Sequence, residues 1–196
     1  MDAQEIEIKI RLNLADLKTL QAWLFNNATA GLVQEQTDIY FENPAAPYFT
    51  RDLSGNIQAL KYLRLRTSPN GKNILTFKDW DTPVSKNGDR LFCYEHETVV
   101  DNPNSALEIL KGTGFTSHYR IQKKRSYYYY TDFEFALDQI TELGTFLEIE
   151  VKTRQFTDPV QERARLIDLA NQIGLRDTTL INRGYILLLF DQRAKN

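Results

Sequence analysis

Glu5, Glu7, Lys9 and Arg11 occupy every second position of "EIEIKIRL", with Ile6, Ile8, Ile10 and Leu12 between them. A period of two puts the charges on one face of a β-strand and the aliphatics on the other. The alternation returns along the chain. Arg64 and Arg66 oppose Leu63 and Leu65, Thr76 and Lys78 oppose Leu75 and Phe77, and Glu95 and Glu97 oppose Phe92 and Tyr94. Lys123 and Arg125 share a face, Asp138 lies across from Phe135 and Leu137, and Glu148 and Glu150 alternate with Leu147, Ile149 and Val151. Lysine and arginine converging on one space suit a ligand with several phosphate charges, Arg giving bidentate contacts and Lys a compact point charge. Carboxylates in that space would repel such a ligand unless divalent cations lie between acid and phosphate. Mg²⁺ commonly bridges one or two carboxylates to substrate phosphates. Acids and bases together therefore point to a metal-phosphate complex.

That chemistry depends on which way the charged faces look. If they face outward, the aliphatic faces fill the centre and the charges form a solvated coat, which is the ordinary appearance of a half-buried antiparallel strand. If they face inward, the charges line a water-filled tunnel and the aliphatic faces are covered by helices whose apolar stripes need a surface. Periodicity allows both. The inward arrangement is preferred because an outer coat usually mixes Ser, Thr, Gln and Asn with its charges, whereas these strands set long Glu, Lys and Arg side chains at successive face positions.

The elements that would carry these residues are mainly strands. After the opening strand, Leu14, Leu17, Leu20, Leu24 and Phe25 fall at helical spacing behind Asn13 as an N-cap. "GLVQEQTDIYFE" reads as a strand ending at Asn43-Pro44, and 44–56 as a long loop able to form a mobile rim. "IQALKYLRLRT", "NILTFKDW" and "RLFCYEHETVV" follow as neighbouring antiparallel strands, separated by Pro-Asn-Gly and by "DTPVSKNGD". Asp101 or Asn102 caps a short helix with Pro103 in its first turn, ending at Gly112 and Gly114. "HYRIQKKRSYYYYT", "FEFALDQI" and "TFLEIEVKTR" are strands again, followed by helices over Pro159 to Ile173 and about Thr178 to Phe190. Roughly eight strands with few helices between them suit a closed antiparallel barrel.

The whole chain is read as a single domain over 1–196, of ordinary globular composition at 42% hydrophobic and 26% charged residues. No apolar run approaches a bilayer span, and "GYILLLF" is far too short. No secretory signal pattern is present, and the only cysteine, Cys93, leaves no partner for an internal disulfide, so a cytoplasmic location is expected. A net charge of −2 without a basic stripe gives no support for nucleic acid as a partner. His96 faces away from Glu95 and Glu97, His118 has no neighbour in sequence to act with, and Cys93 has no nearby charge cluster to activate it. The tyrosines of "SYYYYT" could stack on a base, but read first as sheet packing.

The motifs, taken in order, resemble the CYTH superfamily, also called the triphosphate tunnel metalloenzymes. "EIEIK" has the form Glu-x-Glu-x-Lys, and "LRLR", "TFK", "YEHE", "KKR" and "LDQITELGTFLEIE" follow in the family's order. "TDIYF" at Thr37 to Phe41 is similar to a stretch of the branch known as class IV adenylyl cyclases, near which thiamine triphosphatase-like members also stand. The resemblance implies an α+β, mainly β fold: an eight-stranded antiparallel closed tunnel, the CYTH barrel, with flanking helices. It implies a triphosphate bound there with Mg²⁺ or Mn²⁺, coordinated by Glu5, Glu7, Glu148 and Glu150 with help from Asp138. Lys9, Arg64, Arg66, Lys78, Lys123 and Arg125 would hold phosphate oxygens, with Glu95 and Glu97 as possible additions. Lys9 and Tyr40 form a candidate catalytic pair for orienting water. The implied activity is a lyase converting ATP to cyclic AMP and pyrophosphate, the alternative a hydrolase of thiamine triphosphate, inorganic triphosphate or a nucleoside triphosphate. A non-catalytic polyphosphate- or nucleotide-binding module, and an RNA triphosphatase, are the other readings. No membrane partner is expected, and a homodimer stays open.

Overall fold

The computed structural model describes residues 3–53, 55–69, 71–82, 91–152, 158–176 and 179–194. The His118 side chain, most of the "DTPVSKNGD" connection, the end of "EIEVKTR" and Thr178 lie outside the described residues.

In chain order the elements are β1 (Ala3–Glu5), β2 (Glu7–Leu12), α1 (Leu14–Asn27), β3 (Thr29–Glu42), β4 (Phe49–Arg51) and β5 (Ile57–Ala59). Then come β6 (Lys61–Thr67), β7 (Ile74–Asp79), β8 (Cys93–Val99), α2 (Pro103–Gly112), β9 (Thr116–Tyr130) and β10 (Phe133–Ile140). β11 (Gly144–Val151), α3 (Pro159–Ile173) and α4 (Tyr185–Arg193) complete the described elements.

The main sheet has nine strands in the order β1-β8-β7-β6-β3-β9-β10-β11-β2, paired antiparallel throughout. Its two terminal strands are one run of chain broken only at Ile6. β1 pairs with β8 (Glu5 opposite Cys93), and β2 pairs with β11 (Lys9 opposite Glu148). Counting that run once, among the described residues eight strands go round a closed tunnel, which removes the open sheet edges. Past β1, the free side of β2 is taken up by an isolated bridge between Ile10 and Leu180 and by the Ile181 amide, which donates to the Lys9 carbonyl at 2.7 Å.

Closure settles the faces. Ile6, Ile8, Ile10, Phe135, Leu147 and Ile149 look outward and are buried under α1 and α3 through Leu20, Leu24, Leu166 and Leu169. Each such burial is worth roughly 1.5–3 kcal/mol. α1 starts in a capping box, with Asn13 accepting from the Asp16 amide and Asp16 accepting from the Asn13 amide. Its stripe is narrower than the sequence suggested, since Leu14 and Phe25 are 70% and 89% exposed. α2, capped by Asn102 with Pro103 in its first turn, covers Ile39, Phe41 and Leu65 with Ala106, Leu107 and Leu110.

Two elements differ from the sequence reading. The stretch 44–56 is not all loop: Phe49–Arg51 forms a hairpin with Ile57–Ala59, and "IQALKYLRLRT" breaks at Leu60 into β5 and β6. The last helix begins at Tyr185, because Leu180 and Ile181 are extended beside β2. α4 does not lie on the outside as a cover. Tyr185, Leu189 and Phe190 pack with Tyr40, Ile121, Ile140 and Phe146 and fill much of one end of the tunnel. Phe190 meets Tyr119 edge-on at 4.3 Å between ring centres and Phe49 at 5.7 Å.

Candidate active site

The tunnel holds a cavity of about 460 Å³ lined from every strand of the main sheet. Glu5, Glu7, Lys9, Tyr40, Arg64, Arg66, Lys78, Glu95, Glu97, Lys123, Arg125, Glu148 and Glu150 all face it. Of the residues that the resemblance assigns to the site, Asp138 alone is absent from the lining; Arg11, on the same face as Lys9, is absent too.

On the floor, Asp38 and Asp138 are 1% and 0% exposed. Asp38 accepts two hydrogen bonds from Arg66, at 2.7 and 2.9 Å, and Arg64 and Lys123 each approach it to 3.7 Å. Asp138 takes Arg125 Nε at 2.6 Å on one oxygen, while the other faces Arg125 Nη2 and Lys123, the latter at 3.4 Å. Burial alone would raise both carboxyls, but Arg66, Arg64 and Lys123 hold Asp38 far below the usual range, and Arg125 and Lys123 lower Asp138. Lys123, 1% exposed at its side chain, is pushed down to about 7 by burial and by the like charges of Arg125 and Arg66.

Higher on the wall, Glu148 accepts from Lys9 at 3.0 Å and from Arg125. Burial opposes its charge, yet Lys9 and Arg125 keep it well below the ordinary value. Burial would likewise lower Lys9, but Glu148 and Glu7 raise it, so Lys9 stays charged, 4.6 Å above the Tyr185 ring. Glu5 pairs with Lys78 and receives the Cys93 thiol at 3.2 Å, and Lys78 also reaches Glu95 at 3.3 Å. Cys93 therefore does stand beside a charge cluster, contrary to expectation. Burial nonetheless pushes its thiol well up, which leaves it protonated. Arg64 donates to Thr76 at 3.1 Å and lies 3.8 Å from Glu97, while its buried Nε has no hydrogen-bond partner among the described residues.

Glu7 and Glu150 are the acids of the wall that burial pushes upward. They stand opposite each other in the β2–β11 register. Burial raises Glu7, with Glu148 and Glu5 adding to what Lys9 offsets. Burial and Glu5 push Glu150 up to about 8, and Lys152 approaches it to 3.7 Å. Such an excess of buried hard oxygen donors suits a divalent cation. Among the described residues no three Asp, Glu, His or Cys side chains form a closed metal cage. The donor chemistry fits an ion that completes its shell with substrate oxygens, as Mg²⁺ does.

Sequence reasoning missed Asp38 as an anchor, although "TDIYF" contains it, and missed Thr76 as the link between Arg64 and Glu97. It also missed Tyr62 and Trp80, uncharged residues that continue the faces of Arg64 and Lys78, and Arg163 and Arg183, which arrive from the C-terminal region. Of the tyrosine run, Tyr127 faces the cavity, Tyr128 and Tyr130 pack on the outer core and Tyr129 is 43% exposed. His96 is exposed. Among the described residues no helix is long and apolar enough to cross a membrane.

A family model for the CYTH domain matches residues 3–185. A protein of Pyrococcus horikoshii has a similar solved structure, with 30% identity and a TM-score of 0.71 over 93% of this chain and 97% of that one. A candidate adenylate cyclase of Vibrio parahaemolyticus matches at 22% identity and TM-score 0.70 over 96% of this chain and 99% of that one. A candidate adenylyl cyclase of Hippeastrum, with a dominant triphosphatase activity, matches at 19% identity and TM-score 0.60 over 93% and 91%. The last two share the fold. No curated protein matches the sequence.

Proposed function

The chain belongs to the CYTH domain family, and from that premise we propose that it is a divalent-metal-dependent enzyme acting on a triphosphate inside the tunnel, with class IV adenylyl cyclase chemistry as the first reading. The observation that carries this is the presence of both a cation set (Lys9, Arg64, Arg66, Lys78, Lys123, Arg125) and an acid set (Glu5, Glu7, Glu148, Glu150) on the wall of one cavity. A bare anion-binding module has no use for the second set. We place 1–196 in one domain and the protein in the cytoplasm.

In this reading Glu7 and Glu150, flanked by Glu5 and Glu148, hold Mg²⁺ or Mn²⁺, which when bound supplies charge neutralisation to the phosphate oxygens. Asp138 belongs with the anchors instead, since Arg125 and Lys123 already occupy both of its oxygens. The arginines and lysines align the phosphate chain, so that the ribose 3′-hydroxyl oxygen attacks the α-phosphorus in line, its proton passes to water, and pyrophosphate leaves. Held cations stabilise charge on the leaving group without reorganising, because Asp38 and Asp138 fix them beforehand. Lys9, kept charged by Glu148 and Glu7, donates to a phosphate or to the attacking oxygen and does not act as a base.

Triphosphate hydrolysis is the second reading, favoured by Lys9 and Tyr40 lining the same cavity, with burial holding the Tyr40 hydroxyl protonated. That pair can orient water toward the terminal phosphorus. Incubating the purified protein with ATP, thiamine triphosphate and inorganic triphosphate, each with Mg²⁺ or Mn²⁺, separates the readings. Cyclic AMP with pyrophosphate is the expected product; orthophosphate release selects hydrolysis, and no turnover with either metal would return the protein to a binding module.

A further inference from the structure

The two mouths of the tunnel differ in chemistry. Toward one, the lining carries Glu97, Glu134, Glu150 and Lys152, with Ile74 and Tyr127 among them. Toward the other, beside α4, stand Leu60, Trp80, Leu91, Ile181 and Leu187. Leu60 is 40% exposed and Asn182 is exposed, so this end reaches solvent and is not sealed by the helix.

Local structure fixes this apolar mouth. Trp80 directly follows β7, and its amide donates to the Leu60 carbonyl at 2.6 Å, which ties together the chain ends entering β6 and leaving β7. Its side chain is two residues beyond Lys78 and so on the tunnel face, packed partly against the α4 core. Arg183 closes the polar edge, donating to the Ile57 carbonyl at 2.9 Å and to Gln58 Oε1 at 3.3 Å. Two residues along a strand advance about 6.8 Å. A group lying on Trp80 therefore has its first phosphate beside Lys78, and the rest of the chain beside Arg64 and Arg66.

We infer that the Trp80 mouth is a head-group subsite, which takes the planar heteroaromatic end of an organic triphosphate and gives the enzyme its preference for such substrates over inorganic triphosphate. The inference rests on the triphosphate reading above and adds a direction of binding to it: organic end at Trp80, phosphates toward the acidic mouth. A cavity of about 460 Å³ falls among those that enclose drug-sized ligands. An aromatic wall with aliphatic neighbours and a polar edge has the composition of such a site. At the opposite mouth, an apolar ring face would meet carboxylates.

Dissociation constants for ATP, thiamine triphosphate and inorganic triphosphate, measured by calorimetry with Mg²⁺, test it. Trp80→Ala is expected to weaken both organic ligands by at least about tenfold, as loss of one ring stack does, and to leave inorganic triphosphate within about twofold. Trp80→Phe should recover most of the difference, and Tyr127→Ala should leave the ratio of organic to inorganic affinity unchanged. Equal weakening of all three ligands by Trp80→Ala would overturn the inference. So would a ratio that moves with Tyr127→Ala, or a wild-type protein that binds the organic ligands no tighter than the inorganic one. Failure of the wild type to bind any of the three is a separate result, which removes the triphosphate reading itself.

Discussion

Asp38 receives Arg66 as a two-point fork, Nε on one oxygen at 2.7 Å and Nη2 on the other at 2.9 Å, at a place only 1% exposed. The same carboxylate lies 3.7 Å from both Arg64 and Lys123. One acid thus holds three cations that would otherwise repel each other, and the tunnel floor can present positive charge without collapsing outward.

Removing that charge should cost stability before it costs chemistry. Asp38→Asn leaves Arg66, Arg64 and Lys123 without their common partner, and breaking a buried pair typically costs about 3–5 kcal/mol. For a chain of this size that lowers Tm by on the order of 10 °C. Thermal unfolding checks it; a drop of a degree or less would mean that solvent or neighbouring acids already neutralise the cluster.

Arg64 has spare capacity, since its buried Nε lacks a hydrogen-bond partner among the described residues. A charged hydrogen bond lost on substitution is worth about 1.5–3 kcal/mol. Arg64→Ala should therefore raise KM more than about tenfold for ATP, thiamine triphosphate and inorganic triphosphate alike. An effect confined to ATP would assign Arg64 to the organic end instead.

Lys123 should make binding pH-dependent. Its folded value near 7 lies below the ordinary 10.5, so between those limits the unfolded chain carries a proton that the ligand-free fold lacks, and this group's contribution to stability rises with pH there. An incoming triphosphate favours the charged amine. At pH 8, calorimetry in buffers of different ionisation enthalpy should show more proton uptake on ATP binding for the wild type than for Lys123→Arg, and the difference should vanish at pH 6. Equal uptake at pH 8 would show Lys123 already charged.

Glu150 and Glu148 should respond in opposite ways. Glu150 at about 8 keeps its proton in the fold while the unfolded chain has lost it, so its contribution to stability declines as pH rises from about 4.5 to 8. Glu150→Gln should hold or raise Tm without metal at pH 8, and weaken Mn²⁺ binding at least about tenfold. Glu148→Gln strips Lys9 and Arg125 of a partner and should lower Tm. Excess Mn²⁺ should partly restore activity to Glu150→Gln, and unchanged Mn²⁺ affinity in that variant would remove Glu150 from the metal set.

Much of this site is legible along the chain because a strand has a strict period. Glu5, Glu7 and Lys9 must share a face whatever the fold, and so must Arg64 with Arg66, Lys123 with Arg125 and Glu148 with Glu150. Asn13 and Asn102 mark helix starts through short-range hydrogen bonds that need no tertiary partner. Asp38 was passed over because its meaning lies in Arg66, 28 positions away across the β3–β6 register.

Which residues travel together on a face is written along the chain, since that follows from backbone geometry alone. Which face is inside was decided only when β1 paired with β8 and β2 with β11 across a single-residue break, closing the sheet on its charged side. The same closure turned the last helix from an outer cover into a partial plug and set Trp80 at one mouth. Such outcomes depend on contacts between distant segments, and local periodicity carries no term for them.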